Sequence, residues 1–203
     1  MKRFISLLMA LVLLFSLAAC NAETKTPETT VQEAVESFQS ADPALMQECF
    51  RGELAGLTEL FGPEDLEILR LFTDNLDYTI DSVIESEDGP TQVKITVTAV
   101  DASKVIVRFL QECMAYTLQF AAAAPEELPD DQEVEDAMME ILKTIALDPE
   151  NDTVSITVDV ELVQEDGHWV IPNEYELGNA VLGGLFHQME QMGEAFAKTM
   201  GIQ

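Results

Sequence analysis

Basic side chains are scarce in this 203-residue sequence: 10 Lys and Arg stand against 38 Asp and Glu, a formal net charge of −28. Nucleic-acid binding depends on neutralising phosphates with Lys and Arg, so the balance argues strongly against a nucleic-acid partner. It argues equally against peripheral docking on anionic lipid. Only two histidines occur, His168 and His187, and neither has a partner at a spacing that suggests a metal or a nucleophile relay. The chain has no Gly-rich phosphate cradle, no Gly-x-Ser-x-Gly elbow and no Cys-x-x-Cys pair. Several standard enzyme classes and their cofactors therefore lose their motif, and no metal or cofactor is expected.

What is present begins at the N-terminus. Lys2 and Arg3 precede an apolar or small-residue run over 4–17, followed by Ala18, Ala19 and Cys20. The run is shorter than the roughly 20 residues a helix needs to cross the hydrocarbon layer, and the layout is that of a signal peptide. Leu17, Ala18, Ala19 and Cys20 resemble the bacterial lipobox. That resemblance implies cleavage between Ala19 and Cys20, a diacylglycerol on the Cys20 thiol, and attachment to the extracytoplasmic face of the membrane. Residues 1–19 then read as signal peptide, 20–29 as lipidated cysteine and polar tether, and 30–203 as one domain. Assigning Cys20 to lipid leaves Cys49 and Cys113, which form either a disulfide of an exported protein or two thiols packed on apolar helical stripes.

Periodicity organises the rest. Thr30 with Glu33 fits a capping box ahead of Val31, Ala34, Val35 and Phe38. Asp42 and Pro43 read as the cap and first position of a second helix carrying Leu45, Met46, Cys49 and Phe50. Pro63, Leu66, Leu69 and Phe72 suggest a third. The period then falls to two: Tyr78, Ile80, Ser82 and Ile84, a turn at Asp88, Gly89 and Pro90, then Val93, Ile95, Val97 and Ala99 predict a hairpin. Asp101 caps a long helix with Ile106, Phe109, Cys113, Tyr116 and Phe120, running toward Ala124. An acidic helix with Val134, Met138, Ile141 and Ile145 inward follows Pro125 and Pro129. Val154, Ile156, Val158, Val160 and Leu162 then alternate as a strand, and Asp166-Gly167 turns it back into His168, Trp169, Val170 and Ile171. Leu177, Val181, Leu185, Met189, Met192, Phe196 and Met200 recur on one face of a closing helix bent at Gly183 and Gly184. This Met-rich stripe reads as core, because polar residues lie opposite it.

The order is α+β: a curved antiparallel sheet packed against N-terminal helices and a long central helix, with an extra helix and a C-terminal helix. Phe38 to Phe50, read as helix, Asp42-Pro43 and helix, together with the Asp-Gly-x-Trp hairpin, resemble exported lipoproteins with a nuclear-transport-factor-2-like, cystatin-like domain. The extra helix around Val134 and the long helix after Leu177 depart from that family's minimal pattern. The resemblance implies a cone whose open end binds a small molecule, hosts chemistry or contacts another protein; fold alone does not choose.

The leading expectation is a noncatalytic, membrane-anchored binding module for an envelope protein or small ligand. The alternative is a small isomerase- or hydrolase-like enzyme using a carboxylate in the cone, with Asp77, Tyr78 and Tyr116 as candidates. His187, Glu190 and Glu194 share a helix edge that reads as solvated rather than metal-binding. Asp148, Glu150, Asp152 and Asp159 fail as a calcium loop, since Thr153 stands where that loop requires glycine. The acidic run Glu126, Glu127, Asp130, Asp131, Glu133, Glu135 and Asp136 reads as solvated surface.

Overall fold

A computed structural model describes residues 25–51, 63–86, 89–121 and 128–200. Cys20 and Ala19 lie outside the described residues, as do Asp88 and the Ala124–Glu127 stretch, numbered 124–127. Among the described residues, seven helices pack on one four-stranded antiparallel sheet of order β1-β2-β3-β4, so the chain is α+β.

Helix α1 spans Pro27–Ser40 and starts earlier than Thr30: Thr26 is its N-cap, accepting from the Thr29 N–H at 3.2 Å, with Pro27 in the first turn. A Thr-Pro pair suits this position, because proline has no N–H to leave unpaired and its φ is already helical. Thr30 is instead inside the helix, its hydroxyl donating back to the Thr26 carbonyl. Ala41 ends α1 in the left-handed region at φ 49°, and Asp42 at once caps α2, Pro43–Cys49, by accepting from the Ala44 and Leu45 N–H groups. Helix α3 spans Pro63–Thr73.

The sheet consists of β1 (Asp77–Ile84), β2 (Thr91–Val100), β3 (Thr153–Glu165) and β4 (His168–Val170). Strand β2 is central, and its inward Val93, Ile95, Val97 and Ala99 are almost wholly shielded from solvent. They meet Val31, Ala34, Val35 and Phe38 of α1 in the main core, which also takes in Phe50, Val158, Val160, Leu162, Ile171 and Leu177. The alternation expected along β1 fails halfway. A register shift between Ile80 and Ser82 turns Val83 inward and leaves Ser82 and Ile84 exposed, as a β-bulge does by inserting one residue. Strand β3 is long enough to pair with β2 along its first part and with β4 at its end. Asp166 and Gly167 join β3 to β4 with φ of 51° and 83°, the positive values a two-residue hairpin loop requires.

Helix α4, Ala102–Leu118, is capped by Asp101 and stops short of Ala124. Helix α5, Asp131–Ala146, packs on α4. The chain closes with two helices rather than one bent helix: α6, Tyr175–Val181, and α7, Leu185–Met200. Gly183 and Gly184 separate them at φ 59° and 83°. A second core cluster gathers Leu71, Phe72, Val100, Val105, Ile145 and Leu182 where α3, α4, α5 and the α6–α7 corner meet.

One expectation is overturned here. The Met-rich stripe is not core: Met189 and Phe196 are 60% and 65% exposed, because α7 leaves the body of the domain after its first turn. Of the two readings open for Cys49 and Cys113, the structure holds the separate thiols. Cys49 is buried in the main cluster under α1 and β4, whereas Cys113 sits half-buried on α4, which packs with α5 and α7 around the second cluster.

Candidate functional site

Where α1 begins, α2 ends and the β3–β4 hairpin turns, the three elements leave a half-open cavity of about 240 Å³. Two backbone hydrogen bonds hold its floor together. Ile171 N–H donates to the Cys49 carbonyl at 2.9 Å and Arg51 N–H donates to the Ile171 carbonyl at 3.1 Å, so the end of α2 is stitched to the residue after β4.

The walls carry charge of both signs. Lys25 Nζ lies 2.7 Å from Glu33 Oε2 on α1 and 2.5 Å from Glu48 Oε1 on α2. Hydrogen bonding to Glu33, and then to Glu48, holds the Lys25 ammonium well above the usual lysine range. Arg51 donates from Nε to Glu165 Oε2 at 3.1 Å and from Nη1 to the carbonyls of Gln47, Glu48 and Phe50. It thus satisfies carbonyls that the last turn of α2 leaves without helical partners, and it ties that turn to β3. Trp169, the chain's one tryptophan, is half-buried against the main core and also lines the cavity, beside exposed Asp166 and His168 at the hairpin tip.

Shifts of this kind bear on the chemistry open to two of the lining groups. The cavity's thiol, Cys49, is pushed up to about 11 by burial and then by the Glu33 carboxylate. A reactive thiol needs the opposite environment, one that favours thiolate. Lys25 is likewise held as ammonium, a donor and not a nucleophile. Two cations face the carboxylates of Glu33, Glu48, Glu165 and Asp166. The lining therefore offers fixed charge and an indole to a small polar or cationic guest, and its volume lies below the roughly 300–1,000 Å³ common for drug-sized ligands.

The residues singled out for chemistry do not converge. Asp77 is exposed at the start of β1 and accepts from the Tyr78 N–H at 2.9 Å. Tyr78 packs on the main core and its phenol is raised by burial, then by Glu36. Tyr116 lies on α4, its ring edge-on to Phe120 at 5.2 Å. His187 does not gather Glu190 and Glu194. Its ring contacts Asn179 and lies 3.8 Å from Glu176, while Glu190 faces the Tyr175 hydroxyl.

The acidic residues act locally. Asp148 pairs with Arg108, Asp152 with Lys104, and Asp159 with Lys94. Asp130 caps α5 in a capping box with Glu133, and Asp131 sits in the same first turn, where negative charge suits the helix dipole. Among the described residues, no group of three His, Cys, Asp or Glu is placed to hold a metal ion, and no helix is long and apolar enough to cross a membrane.

No protein-family model and no curated protein matches the chain. Among solved structures it is similar to a lipoprotein-designated chain, ycdA of Bacillus subtilis subsp. subtilis str. 168. The identity is 18% over 72% of this chain and 44% of that one, with a TM-score of 0.40. This chain therefore spans less than half the length of the Bacillus protein it resembles.

Proposed function

We propose that this protein is a noncatalytic binding module of the cell envelope, anchored to the extracytoplasmic face of the membrane by lipid on Cys20. The signal-peptide layout and the Leu17-Ala18-Ala19-Cys20 sequence support the anchor. The observation that carries the binding reading is the cavity between α1, α2 and the β3–β4 hairpin, whose thiol and lysine are both held protonated. The α+β order and the Asp166-Gly167 turn support assignment to the nuclear-transport-factor-2-like domains. Lys25 lies five positions after Cys20, so the intervening chain reaches at most about 18 Å. That brings the cavity close to the membrane surface, and a ligand or partner presented there is the natural guest.

Membrane fractionation of cells expressing the full chain tests the anchor. Cys20→Ser should abolish incorporation of labelled fatty acid and move the protein out of the membrane fraction. Retention of the variant after signal cleavage would overturn the assignment. For the cavity, Trp169 fluorescence and thermal melting should respond to members of a panel of small amines and zwitterions. The response should disappear in Glu33→Gln with Glu48→Gln. Turnover of a panel member, lost in the same variants, would instead make the chain an enzyme.

A further inference from the structure

Beyond its first turn, where Leu185 and Phe186 pack on the second core cluster and Asn179 holds His187, helix α7 is stabilised by almost nothing in its own domain. From His187 to Thr199 every residue is exposed except Gln188 and Ala197, which are half-buried. A solitary helix of this length is marginal in water, whatever its propensity. Yet Leu185, Met189, Met192 and Phe196 follow at spacings of four, three and four, the seam of a coiled coil, in which each side chain inserts between those of a facing helix.

The charges of α7 say which helix faces it. With Met189 and Phe196 at the first heptad position and Leu185 and Met192 at the fourth, the positions flanking the seam are Phe186, Gln188, Gly193 and Ala195. None is charged. His187, Glu190, Glu194 and Lys198 all fall on the opposite side. In a chain of net charge −28 this is a marked depletion, and charge depletion with enrichment in Met and aromatics is how interface cores differ from other surface.

A basic partner would be met by acids along the seam edges, which are absent. A membrane surface would be met by Lys and Arg on the polar face, where α7 has Lys198 against Glu190 and Glu194. The occupant that fits a neutral apolar stripe on an otherwise self-repelling protein is the same stripe. A two-heptad seam alone falls short of the roughly 1,200–2,000 Å² of a stable interface. Helix α4, which packs against α7, adds exposed Met114 and Leu118.

We infer that α7 pairs with α7 of a second copy, making this protein a homodimer through the exposed seam of Met189, Met192 and Phe196, which Leu185 continues into the second core cluster. Because Met189 and Met192 lie in the seam, photoactivatable methionine places the crosslinker where the contact is. The full chain, expressed in cells grown with that analogue and irradiated, should give a band at twice the monomer mass containing linked α7 peptides. Met189→Glu with Phe196→Glu should cut its yield at least tenfold, whereas Glu194→Gln, on the far side, should leave it unchanged. If melting shows that the double variant has lost its fold, Met192→Ala replaces it, alanine being the best helix former, and must weaken the band as well. Absence of the doubled band, adducts of α7 to lipid or to another protein in its place, or a dimer indifferent to the seam variants would overturn the inference.

Discussion

Asn179 holds His187 by both its main chain and its ring. The His187 backbone N–H donates to Asn179 Oδ1 at 3.1 Å, which identifies the other amide atom as nitrogen and makes it the donor to His187 Nδ1 at 3.2 Å. His187 therefore carries its proton on Nε2, toward Glu176 at 3.8 Å. Asn179 is 1% exposed, and its side chain reaches an N–H in the first turn of α7 that has no helical acceptor. Asn179→Ala should cost about 2 kcal/mol, the loss of buried hydrogen bonds. For a domain of this size that is about 4–8 °C in Tm. Asn179→Asp should recover part of the loss, because it keeps the acceptor for the His187 N–H. A melting temperature unchanged in the alanine variant would mean that α7 is oriented by other contacts.

The two glycines between α6 and α7 should respond differently to alanine. At Gly183, with φ 59°, an added Cβ would stand 1.8 Å from the Val100 carbonyl oxygen. At Gly184, with φ 83°, it would meet only Ile156 Cδ1 at 3.8 Å. Gly184→Ala thus bears the left-handed conformation alone, about 1–2 kcal/mol. Gly183→Ala adds a backbone clash that forces the corner away from β2, for a total of about 3 kcal/mol or more. Denaturant unfolding of both variants checks the order; equal losses would contradict it.

Alkylation should separate the two interior thiols. With Cys49 pushed up to about 11, about one thiolate in a thousand is present at pH 8, and the group is buried as well. Cys113 is half-buried, its thiol raised by burial and then by Glu112. Mass spectrometry after a brief pulse of iodoacetamide should show Cys113 modified first and Cys49 only after denaturation. Both should be labelled without a reductant. Loss of two mass units with no labelling would mean a Cys49–Cys113 bridge.

Acid should weaken the junction of β2, α4 and the loop before β3. Burial pushes the Asp101 carboxyl up, but the Ser103 hydroxyl, the Lys104 N–H and the Lys104 ammonium outweigh it and hold the group below its ordinary value. Asp148 is held low by the Glu150 N–H and then by Arg108. A carboxylate depressed in the folded state stabilises it fully above the unfolded pKa of about 3.9, and this is lost as pH falls toward the folded value. Stability should therefore drop below about pH 4. Asp101→Asn keeps a cap at α4 and should flatten that drop, measured as the urea midpoint from pH 5 to pH 2.5. Relief of acidic repulsion acts on both proteins alike, so the difference between them is the test.

Much of the fold was legible because its determinants are local. Asp42-Pro43, the β2 alternation and Asp166-Gly167 each specify a cap, a face or a turn within a few residues, and each is found where it was read. Thr26-Pro27 is the same kind of signal as Asp42-Pro43, hidden inside a stretch whose polarity reads as tether. The β1 bulge left no mark in the pattern, since Ser82 and Val83 suit either face. Periodicity finds the stripe on α7 but not what covers it, which is why Met189 and Phe196 passed for core. The cavity was not legible at all: Arg51 and Glu165 stand 114 residues apart, and only tertiary structure brings such a pair together.

The clip between Cys49, Arg51 and Ile171 also sets an order of events. The N-terminal helices contribute much of the main core, yet the hydrogen bonds that fasten α2 wait for a segment about 120 residues downstream. Loop closure over such a span is slow compared with local helix formation. A chain still emerging from a ribosome or a translocation pore, with Ile171 not yet delivered, cannot complete its native fold. Until its last fifth arrives, the end of α2 lacks the backbone partner that fastens it.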